Sequence, residues 1–370
     1  MKPLPQLDHA GHVQAEVRAG LGLITLNRAN ALNALSLGMI RDLTAILLHW
    51  ADDAAVQAVV IRGAGREGKP PAFCAGGDIR FFHQAALDGD PRIEDFFTEE
   101  YRLNHLIHGY AKPYIALMDG IVMGGGMGIT QGAALRVVTE HSKLAMPETH
   151  IGLFPDVGGG YFLSRCPGHV GEYLALAGHV VGAGDAIALG LADGYLSSSE
   201  LPALVEALTA LPPGQASEYL AAAKSRLQAA PAPKLPAHRE QIDRHFGAAD
   251  MQAIVASLAA DDSAWAGETL AALRKRSPLM LAVTLEQIRR ARHMTLADDL
   301  RMERDLVRHC FALRPGRESE TVEGVRALAV DKDHAPRWNP PRIEDVTPEQ
   351  VAEFFASPWQ AHAHPLRDLR

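Results

Sequence analysis

A chain of 370 residues suffices for one large domain or two of medium size. Hydrophobic residues at 47% and charged residues at 22% are ordinary for a globular protein, and a net charge of −8 speaks against nonspecific binding to nucleic acid or to an anionic membrane surface. No apolar run is long enough to span a membrane. The three cysteines, Cys74, Cys166 and Cys310, show neither CxxC nor Cys/His metal spacing and point to a reducing compartment. The opening "MKPLPQLDHAGH" lacks the apolar core and cleavage site of a secretory signal, so a cytoplasmic location is expected.

In chain order, "HVQAEVRAGLGLITLNR" predicts two strands joined at Ala19–Gly20. Ser36 is placed to cap a helix whose apolar face carries Met39, Ile40, Leu43, Ile46, Leu47 and Trp50. "VQAVVIRG" reads as a buried strand, "YIALMDGIVM" as another, and "LRVVTEHSKLAM" as two short strands around a polar turn. Strands separated by helices imply crossover connections and an α/β architecture. From Leu201 to Arg239 alanine and proline dominate and strand signals vanish, which predicts a connector with intermittent helix. Four amphipathic helices follow, within "MQAIVASLAA", "AWAGETLAALRKR", "PLMLAVTLEQIRRAR" and "LADDLRMERDLVRHCFAL". The expected partition is an α/β core over residues 12–200, a connector over 201–239, and a helical region with a polar tail over 240–370. The arginines of "RKR" (Arg274 to Arg276) and "RRAR" (Arg289 to Arg292) are expected on solvated helix faces.

Three stretches carry the chemistry. "GAGREG" (Gly63 to Gly68) fits GxGxxG after a strand, but Lys69, Pro70 and Pro71 block the helix that a dinucleotide loop must open. "PAFCAGGDI" and "MDGIVMGGGMGIT" each end a strand in a glycine-rich turn, where backbone N–H groups can approach a ligand atom. Two such turns make either tight connections or an oxyanion hole. "MPETHIGLFPDVGGGYFL" holds Glu148 and Asp156 with no lysine or arginine to pair them. On residues alone, Glu148 is a turn acid or a catalyst, and Asp156 a helix cap or a site residue. No GxSxG elbow, P-loop or HExxH occurs.

Together these stretches resemble the crotonase (enoyl-CoA hydratase/isomerase) superfamily, on "LITLNRANALNALS", "AFCAGGDI", "KPYIALMDGIVMGGGMGIT", "MPETHIGLFPDVGG" and "LAGHVVGAGDAIALGLAD". A narrower resemblance, to the 3-hydroxyisobutyryl-CoA hydrolase branch, rests on "EEYRLNHLI", "AMPETHIGLFPDVGGGYFL", "SPLMLAVTLEQIRRAR", "LRMERDLVRH", "EGVRALAVDKDHAPRW" and "PEQVAEFF". It runs from about Val13 to Phe355. The resemblance implies a spiral of ββα units that binds an acyl-CoA thioester, with the N–H groups of Ala75 and Gly125 as oxyanion hole. Gly76 and Asp78 of the same turn are implied as substrate-binding. Hydratases of the superfamily use two glutamates; the first of those positions is Gly128 here, and the second is Glu148. The resemblance makes Glu148 and Asp156 catalytic, with Glu100, next to Glu99, joining them on the substrate. It implies no metal and no cofactor beyond the CoA of the substrate, a small-molecule acyl-CoA partner, and leaves a homo-oligomer open. The rival readings are another crotonase-family reaction, such as isomerisation or hydration, and a non-catalytic acyl-CoA-binding protein.

Overall fold

The computed structural model describes residues 7, 11–212, 214 and 216–370, so most of the stretch read for a targeting signal lies outside the described residues. Among the described residues nine strands form two sheets: β1 (Val13–Arg18), β2 (Leu21–Leu26), β3 (Ala58–Gly63), β4 (Ala72–Cys74), β5 (Tyr114–Met118), β6 (Ile121–Met123), β7 (Leu135–Val138), β8 (Lys143–Ala145) and β9 (Gly194–Tyr195). The larger sheet has the order β1-β2-β3-β5-β7-β9 and the smaller β4-β6-β8. β1 and β2 pair antiparallel, Val13 opposite Leu26, whereas β2–β3, β3–β5, β5–β7 and β7–β9 are parallel.

Successive strands alternate between the sheets: β3, β5 and β7 enter the larger, and β4, β6 and β8 the smaller. This is the ββα repeat that the resemblance implied. It corrects one expectation, because "YIALMDGIVM" is two strands and not one. The chain turns at Asp119–Gly120, and β5 and β6 join different sheets.

The helices are α1 (Leu37–Ala51), α2 (Ile79–Asp88), α3 (Arg92–His108), α4 (Gly125–Gln131), α5 (Gly159–Leu163), α6 (Val170–Ala177), α7 (Ala183–Ala188), α8 (Leu201–Thr209), α9 (Ala216–Ser225), α10 (Arg239–Phe246), α11 (Met251–Ala259), α12 (Ala264–Leu273), α13 (Pro278–Ala291), α14 (Leu296–Ala312), α15 (Glu320–Val325) and α16 (Pro348–Phe354). Ser36 caps α1 by accepting from the Met39 N–H, and the apolar face predicted for α1 is buried throughout. The four amphipathic helices appear as α11 to α14.

The chain divides into two compact units that differ from the expected partition. One comprises the chain up to Gly77 with Arg102–Leu144 and Val181–Lys234; the other comprises Asp78–Tyr101, Ala145–Val180 and Leu235–Arg370. The expected connector is not one. Leu204, Val205 and Leu208 of α8 and Tyr219 and Ala223 of α9 share one apolar core with Leu21, Leu23, Val60, Ile115 and Val137 of the larger sheet. Alanine-rich helix needs only a few large side chains on one face to bury itself, which composition does not show. The tail is not wholly polar surface either: Leu366 is buried, and its carbonyl accepts from Arg301. Nor are the arginine clusters simple solvated faces. Arg276 is buried and donates to the Ala177 carbonyl at 3.2 Å, and Arg292 pairs with Glu172 at 2.5 Å.

Candidate active site

The second unit collects the acids. Glu100 lies on α3, Glu148 opens the 3-10 turn Glu148–Ile151, and Asp156 lies in the segment that leads to α5. All three are buried, at 2%, 7% and 5% exposure, and none forms an ion pair among the described residues. Glu100 Oε1 and Glu148 Oε2 have no hydrogen-bond partner. Two buried carboxylate oxygens without a donor are costly, which marks a functional site rather than a stabilising one.

The electrostatics agree. Burial pushes Glu100 well above the usual carboxylate range, and the charges of Asp156 and Glu148 add to it. Burial does the same to Glu148, again with Asp156 adding. Burial lifts Asp156 to about 7, opposed by the Tyr101 hydroxyl, which donates to Asp156 Oδ2 at 2.8 Å. The three acids therefore interact, and near neutral pH they do not all ionise together. His150, two residues on in the same turn as Glu148, is no counter-ion. Burial and the nearby Arg276 hold it down at about 4, and its Nδ1 faces the Pro147 carbonyl at 3.0 Å.

Distinct elements hold each acid. Around Glu100, Phe82 packs on Phe96 and Phe97 with ring centroids 4.7 and 4.8 Å apart, and Phe97 meets Tyr101 at 6.2 Å and Phe311 at 5.8 Å. Glu148 is held by its own turn, with Leu153 N–H donating to the Glu148 carbonyl at 3.1 Å, and Thr321 of α15 donating to the Gly152 carbonyl at 2.7 Å. These contacts decide matters the sequence left open. Glu100 is the buried member of its pair, whereas Glu99 is partly exposed. Asp156 does not cap α5, whose N-cap is Gly158 with no side-chain bond.

The first unit carries the two glycine turns. Gly125 is the first residue of α4, and its N–H has no acceptor among the described residues. A Cβ on Gly126 would meet the Cys74 carbonyl at 2.4 Å, so only glycine lets α4 approach the "CAGGD" turn this closely. Ala75 does not fill its predicted role: its N–H donates to the Leu32 carbonyl at 3.0 Å. Among the described residues, the N–H groups of Gly76 and Gly77 in that turn have no acceptor. Asp78 has a structural role in the same turn, where its carboxylate caps α2 by accepting from the Phe81 N–H at 3.3 Å. Cys74 is fully buried in this turn, packed as a small apolar residue. Cys74→Ala should therefore keep its catalytic rate within about threefold, checked by steady-state rates; loss of activity in a folded variant would point to a thiol mechanism.

Sequence reasoning did not single out Tyr101, Gln287, Asp299 and Glu303. The last two are buried acids, and burial lifts Asp299 to about 7 and raises Glu303 well above the carboxylate range, with the Asp299 charge adding to the latter. Gln287 stands in "LEQIRRAR" and the two acids in "LADDLRMERDL", where acids interleaved with arginines look like an exposed helix face.

Strands that enter two sheets alternately, in ββα repeats, define a crotonase-type fold. The model of the Enoyl-CoA hydratase/isomerase family matches residues 21–355, and the chain belongs to that family. Among curated relatives it is 42% identical over 341 residues to "3-hydroxyisobutyryl-CoA hydrolase, mitochondrial" of Xenopus tropicalis, covering 91% of this chain and 86% of that protein. It is 40% identical over 356 residues to the Homo sapiens protein of the same name, covering 95% and 90%. Among solved structures, a carnitinyl-CoA dehydratase from Mycobacterium thermoresistibile is 38% identical with a TM-score of 0.84, covering 94% of this chain and 97% of that one. An enoyl-CoA hydratase from Rhodobacter sphaeroides 2.4.1 is 39% identical with a TM-score of 0.84, covering 94% and 98%.

Proposed function

We propose that this protein hydrolyses a short β-hydroxyacyl-CoA, 3-hydroxyisobutyryl-CoA above all, to 3-hydroxyisobutyrate and free CoA. The observation that carries the reading is the trio Glu100, Glu148 and Asp156, buried together without a cation. Relatives carrying the hydrolase name at 40–42% identity over more than nine-tenths of the chain support it.

In this reading Glu148 drives attack on the thioester carbonyl, as base to a water or as nucleophile through a transient anhydride. The new C–O bond forms, the C–S bond breaks, and the departing thiolate takes a proton. The charge that develops on the carbonyl oxygen falls to backbone N–H groups: Gly125 from one glycine turn, Gly76 or Gly77 from the other. Such donors typically contribute ~3–4 kcal/mol each. What assigns these donors and the acids to one reaction is the family relation. Asp156 and Glu100 take the substrate's β-hydroxyl. The product chemistry fits valine breakdown. The buried, unbridged thiols support a reducing compartment such as the cytoplasm, although the relatives' names read mitochondrial. Among the described residues no helix is long and apolar enough to cross a membrane.

Hydration is the second reading, because the two solved neighbours carry hydratase and dehydratase names. Gly128 opposes it. It is buried in α4, where superfamily hydratases place one of their two glutamates. The deciding assay offers 3-hydroxyisobutyryl-CoA and crotonyl-CoA separately and follows thiol release and loss of the enoyl absorbance. Thiol release from the first and little or no hydration of the second are expected. Hydration as fast as hydrolysis would overturn the hydrolase reading.

A further inference from the structure

We infer that Glu303 of α14 is the positioning residue for Asp156, and that it sets the geometry with which Asp156 meets the substrate. The inference rests on the hydrolase reading for the reaction, but its geometry stands without it.

Asp156 sits in a segment with an unfavourable backbone. The next residue, Val157, has φ of 57°, in the left-handed region that a β-branched side chain rarely adopts. Strain of that kind persists only where surrounding contacts over-determine it. Those contacts come from helices more than 120 residues further along the chain. Glu303 Oε2 accepts from the Gly158 N–H at 2.7 Å, and Oε1 from the Gly160 N–H at 3.0 Å. Asp299, one turn earlier on α14, accepts from the Tyr161 N–H at 2.8 Å. Gln287 of α13 donates to the Pro155 carbonyl at 2.6 Å and to Glu303 Oε1 at 3.1 Å. The residues on both sides of Asp156 and Val157 are thus pinned to one carboxylate and its amide partner.

The packing leaves no slack. A Cβ on Gly160 would stand 2.3 Å from Asp299 Oδ1, so α14 reaches the segment only because the residue is glycine. Glu303 is fully buried, and so is the adjacent Arg304, which donates to Thr98 Oγ1 at 3.0 Å and to Glu94 on α3, the helix that carries Glu100 and Tyr101. Consecutive residues of α14 therefore hold the two segments that bear Asp156 and Glu100. Glu303 uses both oxygens as acceptors, whereas a glutamine amide would offer one acceptor oxygen and place an NH₂ donor against a backbone N–H.

The test uses Glu303→Gln in the full-length protein, read in two ways. The first is amide hydrogen exchange without substrate. Exchange at Gly158 and Gly160 is expected to rise at least about tenfold while α14 keeps its protection. The second is a double-mutant cycle with Asp156→Asn on kcat/KM for 3-hydroxyisobutyryl-CoA. Glu303→Gln alone is expected to lower kcat/KM about 10- to 100-fold, the scale of a displaced site group, but by less than about threefold when Asp156→Asn is already present. Unchanged exchange overturns the inference, and so does an additive cycle, which a merely destabilising change would give. Should the wild type release no CoA, the hydrolase reading falls and exchange alone judges the positioning. If Glu303→Gln does not fold, Gln287→Leu replaces it in both measurements with the same expected directions.

Discussion

Glu148→Gln is expected to lower kcat by about 10²-fold or more while substrate binding survives. The amide keeps the shape of the side chain but can neither accept a proton nor attack a carbonyl. Glu148 is buried, its Oε2 has no partner, and burial with the neighbouring Asp156 raises its pKa. A base must be ionised to act, so kcat/KM of the wild type should climb with pH through that raised value, and the variant should lose this limb. The same shift has a stability consequence of opposite sign. Where the folded pKa of a carboxyl exceeds its unfolded value, the stability of its neutral form is intact below the unfolded value and is lost as pH rises through the folded one. Glu148→Gln removes that loss. Its Tm should exceed that of the wild type by about 2 °C at about pH 8, the shift that ~1 kcal/mol produces in a large domain, and the gain should vanish at about pH 4. Calorimetry at the two pH values and steady-state kinetics check both halves. Near-normal turnover in the variant would remove Glu148 from the mechanism.

Asp156→Asn is expected to erase discrimination more than it erases hydrolysis. A thioester needs an oxyanion hole and one base to be hydrolysed; a second and third buried acid call for another task. The β-hydroxyl is the polar group that a hydroxyacyl-CoA supplies beyond the thioester. An analogue without it would leave Asp156 and Glu100 desolvated and without a donor, the Tyr101 bond to Asp156 aside. Sites of this kind can reject such an analogue by ~10⁴-fold, whereas a methyl group changes selectivity only ~10–200-fold. So 3-hydroxyisobutyryl-CoA and 3-hydroxypropionyl-CoA should both be turned over, within that methyl-sized factor of each other, and isobutyryl-CoA should be far poorer. In Asp156→Asn the gap between hydroxylated and plain substrates should narrow, with little further slowing on isobutyryl-CoA. Values of kcat/KM for the three thioesters in both proteins decide it. If the wild type hydrolyses isobutyryl-CoA as well as its hydroxylated counterpart, the hydroxyl-binding role is wrong.

What was legible in the sequence follows a physical line. The Ser36 cap, the apolar face of α1, the four later helices and the alternation of strands all rest on interactions within a few residues, and the structure bears each of them out. Glu148 and Asp156 were paired by the family resemblance, on a stretch in which they stand eight positions apart.

Other features depended on partners far along the chain. Ala75 looked like a free donor until Leu32 took its N–H. Glu99 and Glu100 differ only in which side of α3 is covered. Glu303, Asp299 and Gln287 read as surface helix until α13 and α14 buried them over the residues after Pro155. The sequence by itself determined most of the elements and the Ser36 cap of α1, since short-range hydrogen bonding and periodic apolar burial suffice for those; the pairing of Glu148 with Asp156 came from the family resemblance. The tertiary structure alone decided which backbone N–H groups are spent, how deeply Glu100 is buried beside Glu99, and what holds the acids. A donor is spent, or a charge desolvated, only by atoms that the fold brings from elsewhere in the chain.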